Sequence, residues 1–371
     1  MSEYILKNKG KALLAFSVEL DDFSQYNCVE LERYVPDALM PPSFVSITEW
    51  LENRNYAKHK THLQRWLREW QIDNIKGFID ITHALGLNDT LWVCSADSSL
   101  KWDNVSLYRN DFTDVAAKTA FTKGLNGLKL SSTSPEFTSE GSFEKCWVKQ
   151  KDGSITLYKK GSEGFVNSGL EPYSEFYSSQ LSGLLCRSSV EYGLCMFKGH
   201  LVSTCSMFTS EAEGFIPVYK YLNTSRTYTM QQLLDFMGRL GFAEDFSDMI
   251  VLDAVILNID RHLGNFGFIV DNDTFRIKRF APVFDNNMAL LARAIDNSLE
   301  SDSEYYKGLG HKIGVPFIPS ARALTTSRTR SVLQSLHDFH FTLHPSCNLP
   351  SKRLFFLEDL IRRQASDILS H

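Results

Sequence analysis

The chain lacks the features that would place it in several common classes. No apolar run approaches the roughly twenty residues of a bilayer-crossing helix, so no membrane role is expected. The N-terminus, Met1-Ser2-Glu3-Tyr4, has neither the basic start nor the apolar core of a secretory signal, and a cytoplasmic location is expected. There is no Cys-x-x-Cys. The seven cysteines (Cys28, Cys94, Cys146, Cys186, Cys195, Cys205, Cys347) are odd in number and scattered, which argues against a zinc site or a disulfide framework. Most of them sit among apolar or small residues, a context of core filling. Excess positive charge is missing too. At a formal net charge of −5, nucleic acid is expected as a partner only indirectly.

What is present reads as a globular protein: 43% hydrophobic and 22% charged residues over 371 positions, enough for two domains or one large domain with an added segment. Residues 1–130 carry no nameable chemistry. Tyr4–Leu6 and Ala12–Val18 read as strands around a Lys-Asn-Lys-Gly-Lys turn. Residues 46–70 read as a helix pair, with Trp50, Leu51, Leu63, Trp66, Leu67 and Trp70 on one side and Arg54, Lys58, Lys60, Arg65 and Arg68 on the other. That basic side is either a docking face or, more commonly for such patterns, a solvated surface. Ile79–Gly86 reads as a further helix, and Asn88–Val93 as a turn entering a strand.

From Leu128 the pattern becomes chemical. Ser139-Glu140-Gly141-Ser142 is a small-residue loop whose backbone N–H groups suit phosphate, ahead of a strand over Phe143–Lys149. Asp152-Gly153 turns into a return strand, Ser154–Lys159, on which Ile155, Leu157 and Lys159 share one face. A lysine on the inner face needs an acidic partner, whereas Lys160, on the other side, reads as a surface lysine. Residues 167–186 open a helix that offers two acids. Glu175 is the expected partner of Lys159. Glu171 is the alternative, and sits where its charge suits the helix start. Val190–Phe197 and Leu201–Phe208 form a second hairpin, followed by Met207-Phe208-Thr209-Ser210-Glu211 where a kinase-type fold has its hinge.

The centre of the chain is Asn258-Ile259-Asp260-Arg261-His262-Leu263-Gly264-Asn265. A helix over Asp245–Leu257 precedes it; apolar runs at Phe266–Val270 and Phe275–Ile277 follow, and then Phe284-Asp285. Asp followed five residues later by Asn, with a second Asp beyond a hairpin, is the spacing of a phosphotransfer site. Protein kinases keep that interval but place Arg before the Asp. Helices fill the remainder, with Leu354, Leu357, Leu360 and Ile361 on one face.

The order loop, Lys strand, Glu helix, hinge, Asp-Arg-His-x-x-Asn and Phe-Asp resembles the HipA-like kinases, relatives of the phosphatidylinositol kinases. The resemblance rests on 258–265, Phe284-Asp285, Leu157-Tyr158-Lys159 and Glu171–Glu175, and more loosely on Leu87–Trp92. It implies an α+β, bilobal protein-kinase-like fold: an N-terminal accessory region (1–130), a small antiparallel-sheet N-lobe (131–222) and a mostly helical C-lobe (223–371). It implies Asp260 as catalytic base, Asn265 and Asp285 as Mg²⁺ ligands, and Lys159, Glu175, Ser139, Gly141, Ser142, Met207 and Thr209 as the ATP-binding set. The implied activity is transfer of the γ-phosphoryl of ATP to a protein Ser/Thr hydroxyl in a bacterial cytoplasm, with autophosphorylation among Ser131, Ser132, Ser134 and Ser139. An antitoxin-like partner is implied as well. A small-molecule or lipid kinase, and a nucleotide-binding pseudokinase acting as an interaction module, are the alternatives.

Overall fold

A computed structural model describes residues 2–20, 26–54, 74–111, 144–164, 167–223, 225–295, 299 and 308–370. The fold is mixed α/β with antiparallel pairing. The chain forms two compact units, one of Met1–Leu157, Thr209–Ile216 and Ile269–Lys278, the other of Tyr158–Phe208, Pro217–Phe268 and Arg279–His371.

The first unit is built on strands β1 (Ser2–Asn8), β2 (Lys11–Leu20), β3 (Tyr26–Arg33) and β4 (Leu91–Ser95), ordered β3-β2-β1-β4 and antiparallel throughout. Alternation sets the faces: Tyr4, Leu6 and Asn8 point into the core while the residues between them do not. Helices α1 (Ile47–Arg54) and α2 (Ile75–Thr82) add Leu51, Phe78 and Ile79 to the apolar cluster of Leu6, Leu14, Phe16 and Val93. Helix α2 lies four residues earlier than the sequence suggests. Asn74 caps it by accepting from Gly77 N–H at 2.9 Å, and His83 ends it at φ +51°. The expected helix pair over 46–70 is described only as far as Arg54.

A short helix, α3 (Trp102–Val105), completes this unit's scaffold. Its Trp102 ring N–H donates to Glu211, as does Arg109 at 2.9 Å. Tyr108 OH and Thr209 Oγ1 both donate to Leu87 O, and Phe215 N–H donates to Asn88 O at 2.8 Å. The segment from Thr209 to Ile216 is therefore held by residues 87–109 within one unit.

Strands β5 (Lys145–Lys149), β6 (Ile155–Lys160), β7 (Gly193–Phe197) and β8 (His200–Ser206) make a sheet ordered β5-β6-β8-β7. Strands β9 (Glu213–Pro217), β10 (Gly267–Asp271) and β11 (Ile277–Phe280) make another, ordered β11-β10-β9. The second unit adds helices α4 (Glu171–Leu185), α5 (Met230–Leu240) and α6 (Ala243–Ile256). Thr229 and Gln232 cap α5 reciprocally, and Gly241 closes it at φ +85°. Helix α6 is buried at every position from Phe246 to Ile256, the pattern of a helix enclosed on all sides. A hairpin of β12 (Gly310–His311) and β13 (Val315–Pro316) precedes α7 (Phe317–Leu324), α8 (Ser327–Ser335) and α9 (Ser351–Leu369). The face of α9 that carries Leu354, Leu357, Leu360 and Ile361 is buried, as the spacing predicts.

Candidate functional site

The loop that leaves α6 begins with a reversal. Leu257 takes a left-handed backbone, φ +52°, while staying buried, and Asn258 then folds back to bond Asp253 Oδ1 at 3.2 Å. Asn258 Oδ1 in turn accepts from the Asp260 N–H, also at 3.2 Å, a side-chain turn that fixes where Asp260 starts.

Next to it, Arg261 is fully buried. Its guanidinium grips Asp253 with two parallel bonds, at 3.0 and 2.9 Å. It also donates to Asn265 O at 3.1 Å, Phe284 O at 2.6 Å and Asn286 Oδ1 at 2.6 Å. One side chain thus ties α6, the 260–265 loop and the 284–286 turn together. Burial disfavours its charge, but Asp253 more than offsets this and the guanidinium's pKa rises. Cys186, just past α4, lies in the same region. Burial and then Asp253 and Asp248 push its thiol far up.

The second cluster centres on Lys159. Its Nζ donates to Glu175 Oε1 at 2.7 Å and also to Asp285. The Glu175–Lys159 pairing that the strand and helix periods predict is thus present, and Asp285 joins it from the far side. Desolvation works against the ammonium, yet Asp285 and then Glu175 prevail and raise its pKa. Desolvation likewise pushes the Glu175 carboxyl up, against the pull of Lys159. Ser203 Oγ satisfies the other Glu175 oxygen. Asp285 has a left-handed backbone, φ +60°, and its N–H donates to Tyr192 OH at 3.2 Å. A Cβ on Gly161 would lie 2.8 Å from Glu171 Oε2 and 2.9 Å from Gly169 Cα and Pro172 Cδ, so the end of β6 seats directly on the start of α4.

Lys160 corrects the expectation of a surface lysine. It is buried, and pairs with Glu163 at 2.8 Å. The two-residue period places Lys160 on the face opposite Lys159, and burial at both positions shows that the end of strand β6 is covered on both sides. Glu171 stands in the first turn of α4, as its charge suggests, and accepts from Ser162 N–H at 3.2 Å and from its hydroxyl.

Asp260 itself is more open. Its side chain is 32% exposed and pairs with Lys312, 53% exposed, at 2.6 Å. Asn265 Nδ2 donates to Asp260 O at 3.4 Å, which leaves the amide oxygen as the atom to offer a cation. His262 Nδ1 accepts from Gly264 N–H at 3.0 Å, and burial pulls that imidazole's pKa down. With Asn265 and Asp285 contributing an amide and a carboxylate oxygen, the donor set suits a hard cation such as Mg²⁺. Among the described residues no group of three or more His, Cys, Asp or Glu forms a ready-made metal cage. Such a site would need oxygens from phosphate and water as well.

Asp260, Asn265, Asp285, Lys159 and Glu175 therefore all lie in the second unit, linked through Arg261, Phe284 and Asn286. Met207, partly buried, follows β8 in that unit, whereas Thr209 belongs to the first. Ser139, Gly141 and Ser142, with Ser131, Ser132 and Ser134, lie outside the described residues. Sequence reasoning missed the structural work of Arg261 and Asp253. The available signal was Asp253, an acid in the otherwise apolar run from Met249 to Leu257. Lys312 had no local signal at all.

In its fold the chain resembles a solved kinase. Among solved structures the chain is similar to the Helicobacter pylori proinflammatory kinase CtkA, with a TM-score of 0.50 and 16% identity over 62% of this chain and 90% of that one. It also aligns with HipA of Shewanella oneidensis, solved as a toxin–antitoxin complex with HipB and operator DNA, with a TM-score of 0.48 and 9% identity over 99% of this chain and 97% of that one. No family model and no curated protein matches the sequence. Among the described residues, no helix is long and apolar enough to cross a membrane.

Proposed function

We propose that the protein is an ATP- and Mg²⁺-dependent kinase that transfers the γ-phosphoryl group to a protein Ser or Thr hydroxyl. The observation that carries this reading is the buried Lys159 ammonium held between Glu175 and Asp285, on a turn that Arg261 ties to the Asp260–Asn265 loop. A lysine fixed in this way meets nucleotide phosphates as a positioned point charge. Asp260 accepts the acceptor hydroxyl's proton. Asn265 and Asp285 would hold Mg²⁺, which neutralises phosphate charge when bound. Met207 would meet the adenine edge. Phosphoryl transfer needs little covalent help, so positioning and charge supply most of the rate. By the motif resemblance we also infer a bacterial cytoplasmic setting, an antitoxin-like partner, and autophosphorylation among the serines of 131–139.

The test is incubation of the full chain with Mg²⁺ and γ-labelled ATP beside an Asp260→Ala variant, followed by intact mass and peptide mapping. Label on the wild type alone is expected. Equal labelling of both removes Asp260 as the base. Label on neither, even with casein-like protein acceptors present, removes the kinase reading.

A further inference from the structure

The β12–β13 hairpin carries two neighbouring residues with different surroundings. His311 points inward and is buried, with its ring 4.5 Å from that of Phe317. Lys312, the next residue, opens the turn that joins the two strands. Its ammonium reaches across 52 positions of sequence to the Asp260 carboxylate at 2.6 Å. The anchor is buried, while the lysine stays half exposed.

An ion pair this exposed contributes little to folding, so stability alone gives it no reason to sit on the base. Asp260 has an electrostatic difficulty that Lys312 answers. A carboxylate acting on a hydroxyl must lie close to the phosphoryl group being transferred, and both are anionic. A cation that touches the carboxylate and still carries further N–H donors can bridge the two. Lys159 cannot do this, because Glu175 and Asp285 take two of its three donors, which leaves one for phosphate and none for a second bridge.

Resting on the kinase reading above, we propose that Lys312 is a further catalytic residue, whose ammonium bridges the Asp260 carboxylate and the γ-phosphoryl oxygens. In the step it serves, the acceptor oxygen forms a bond to the γ-phosphorus while the bond from that phosphorus to the β,γ-bridging oxygen breaks. The electron pair leaves with ADP, and the hydroxyl proton passes to Asp260. Lys312 stays protonated throughout.

The test uses the full chain with Lys312→Met, Lys312→Arg and Asp260→Ala. It reads kcat and KM for labelled transfer, and calorimetric affinities for ADP and the non-hydrolysable AMP-PNP. For Lys312→Met, kcat is expected to fall about 10- to 100-fold, with the acceptor KM and the ADP affinity changed less than about threefold. The ratio of AMP-PNP to ADP affinity should fall about fivefold, since only the γ-phosphoryl contact is lost. Lys312→Arg should restore most of both losses, because it keeps the charge and the donors. If Lys312→Met retains wild-type kcat and affinity ratio while Asp260→Ala is inert, the Lys312 assignment alone fails. A rise in kcat for Lys312→Met also overturns it, and makes the ion pair a restraint on the base. If the wild type transfers no phosphate, the kinase reading fails, and an unchanged affinity ratio, or no nucleotide binding at all, removes the Lys312 contact with it.

Discussion

Asp260 and Arg261 are consecutive residues of one loop, yet their ionic contacts have little in common. Arg261 is sealed, with two bonds to Asp253 and three more to backbone and amide oxygens. Asp260 sits in the opening, with one bond to a half-exposed lysine. The sealed pair is the floor on which three chain segments converge, and the open pair is the mouth that solvent reaches. A charged motif can therefore divide its work, with one residue fixing geometry and its neighbour left free for chemistry.

The sharpest way to break that comparison is at the floor. Arg261→Ala leaves Asp253 buried without its partner and should cost about 3–5 kcal/mol, read as a shift in the urea midpoint. A midpoint within experimental scatter of wild type would mean that the floor is not sealed. At the mouth, Asp260→Ala should leave the melting curve nearly in place while lowering kcat by about 10²- to 10⁴-fold. An active Asp260→Ala variant would erase the division of labour.

His311 sharpens the contrast through pH. Burial, opposed by Asp253 and aided by Arg261, lowers its pKa to about 4 from the ordinary 6.5, and among the described residues neither ring nitrogen has a hydrogen-bond partner. Below 6.5 the unfolded chain takes up a proton that the folded chain refuses. Stability from this group is therefore complete above pH 6.5, and is lost as pH falls toward 4, at up to about 1.4 kcal/mol per pH unit. In denaturant titrations across that window, His311→Gln should flatten the slope whatever it does to the absolute stability. The smallest effect belongs to the open pair. Lys312→Met should shift the folding free energy by no more than about 0.5 kcal/mol, and less in high salt.

Local spacing explains which parts of this were legible in the sequence. The Lys159–Glu175 pair could be read because a strand of period two and a helix of period 3.6 each declare a face. The enclosed helix was legible as a long apolar run with no single face and α9 by its apolar face, while the hairpin was legible from two short apolar runs, although its second strand is Ile277–Phe280 and not Phe275–Ile277. Lys160 was misread because the strand period separates two faces but cannot tell that both are covered at the strand's end. The start of α2 was misplaced because its signal is the Asn74 cap rather than an apolar repeat. The pairing of Asp260 with Lys312 joins residues with no shared element, and only tertiary structure brings them together.

Cys186 gives the floor a built-in clock. Its thiol is buried, and the acidic side chains around it resist the thiolate, so a disulfide reagent can attack only when the surrounding structure opens. The labelling rate of this one position then counts those openings over minutes, with no engineered dye. Arg261→Lys should quicken it long before the whole chain unfolds.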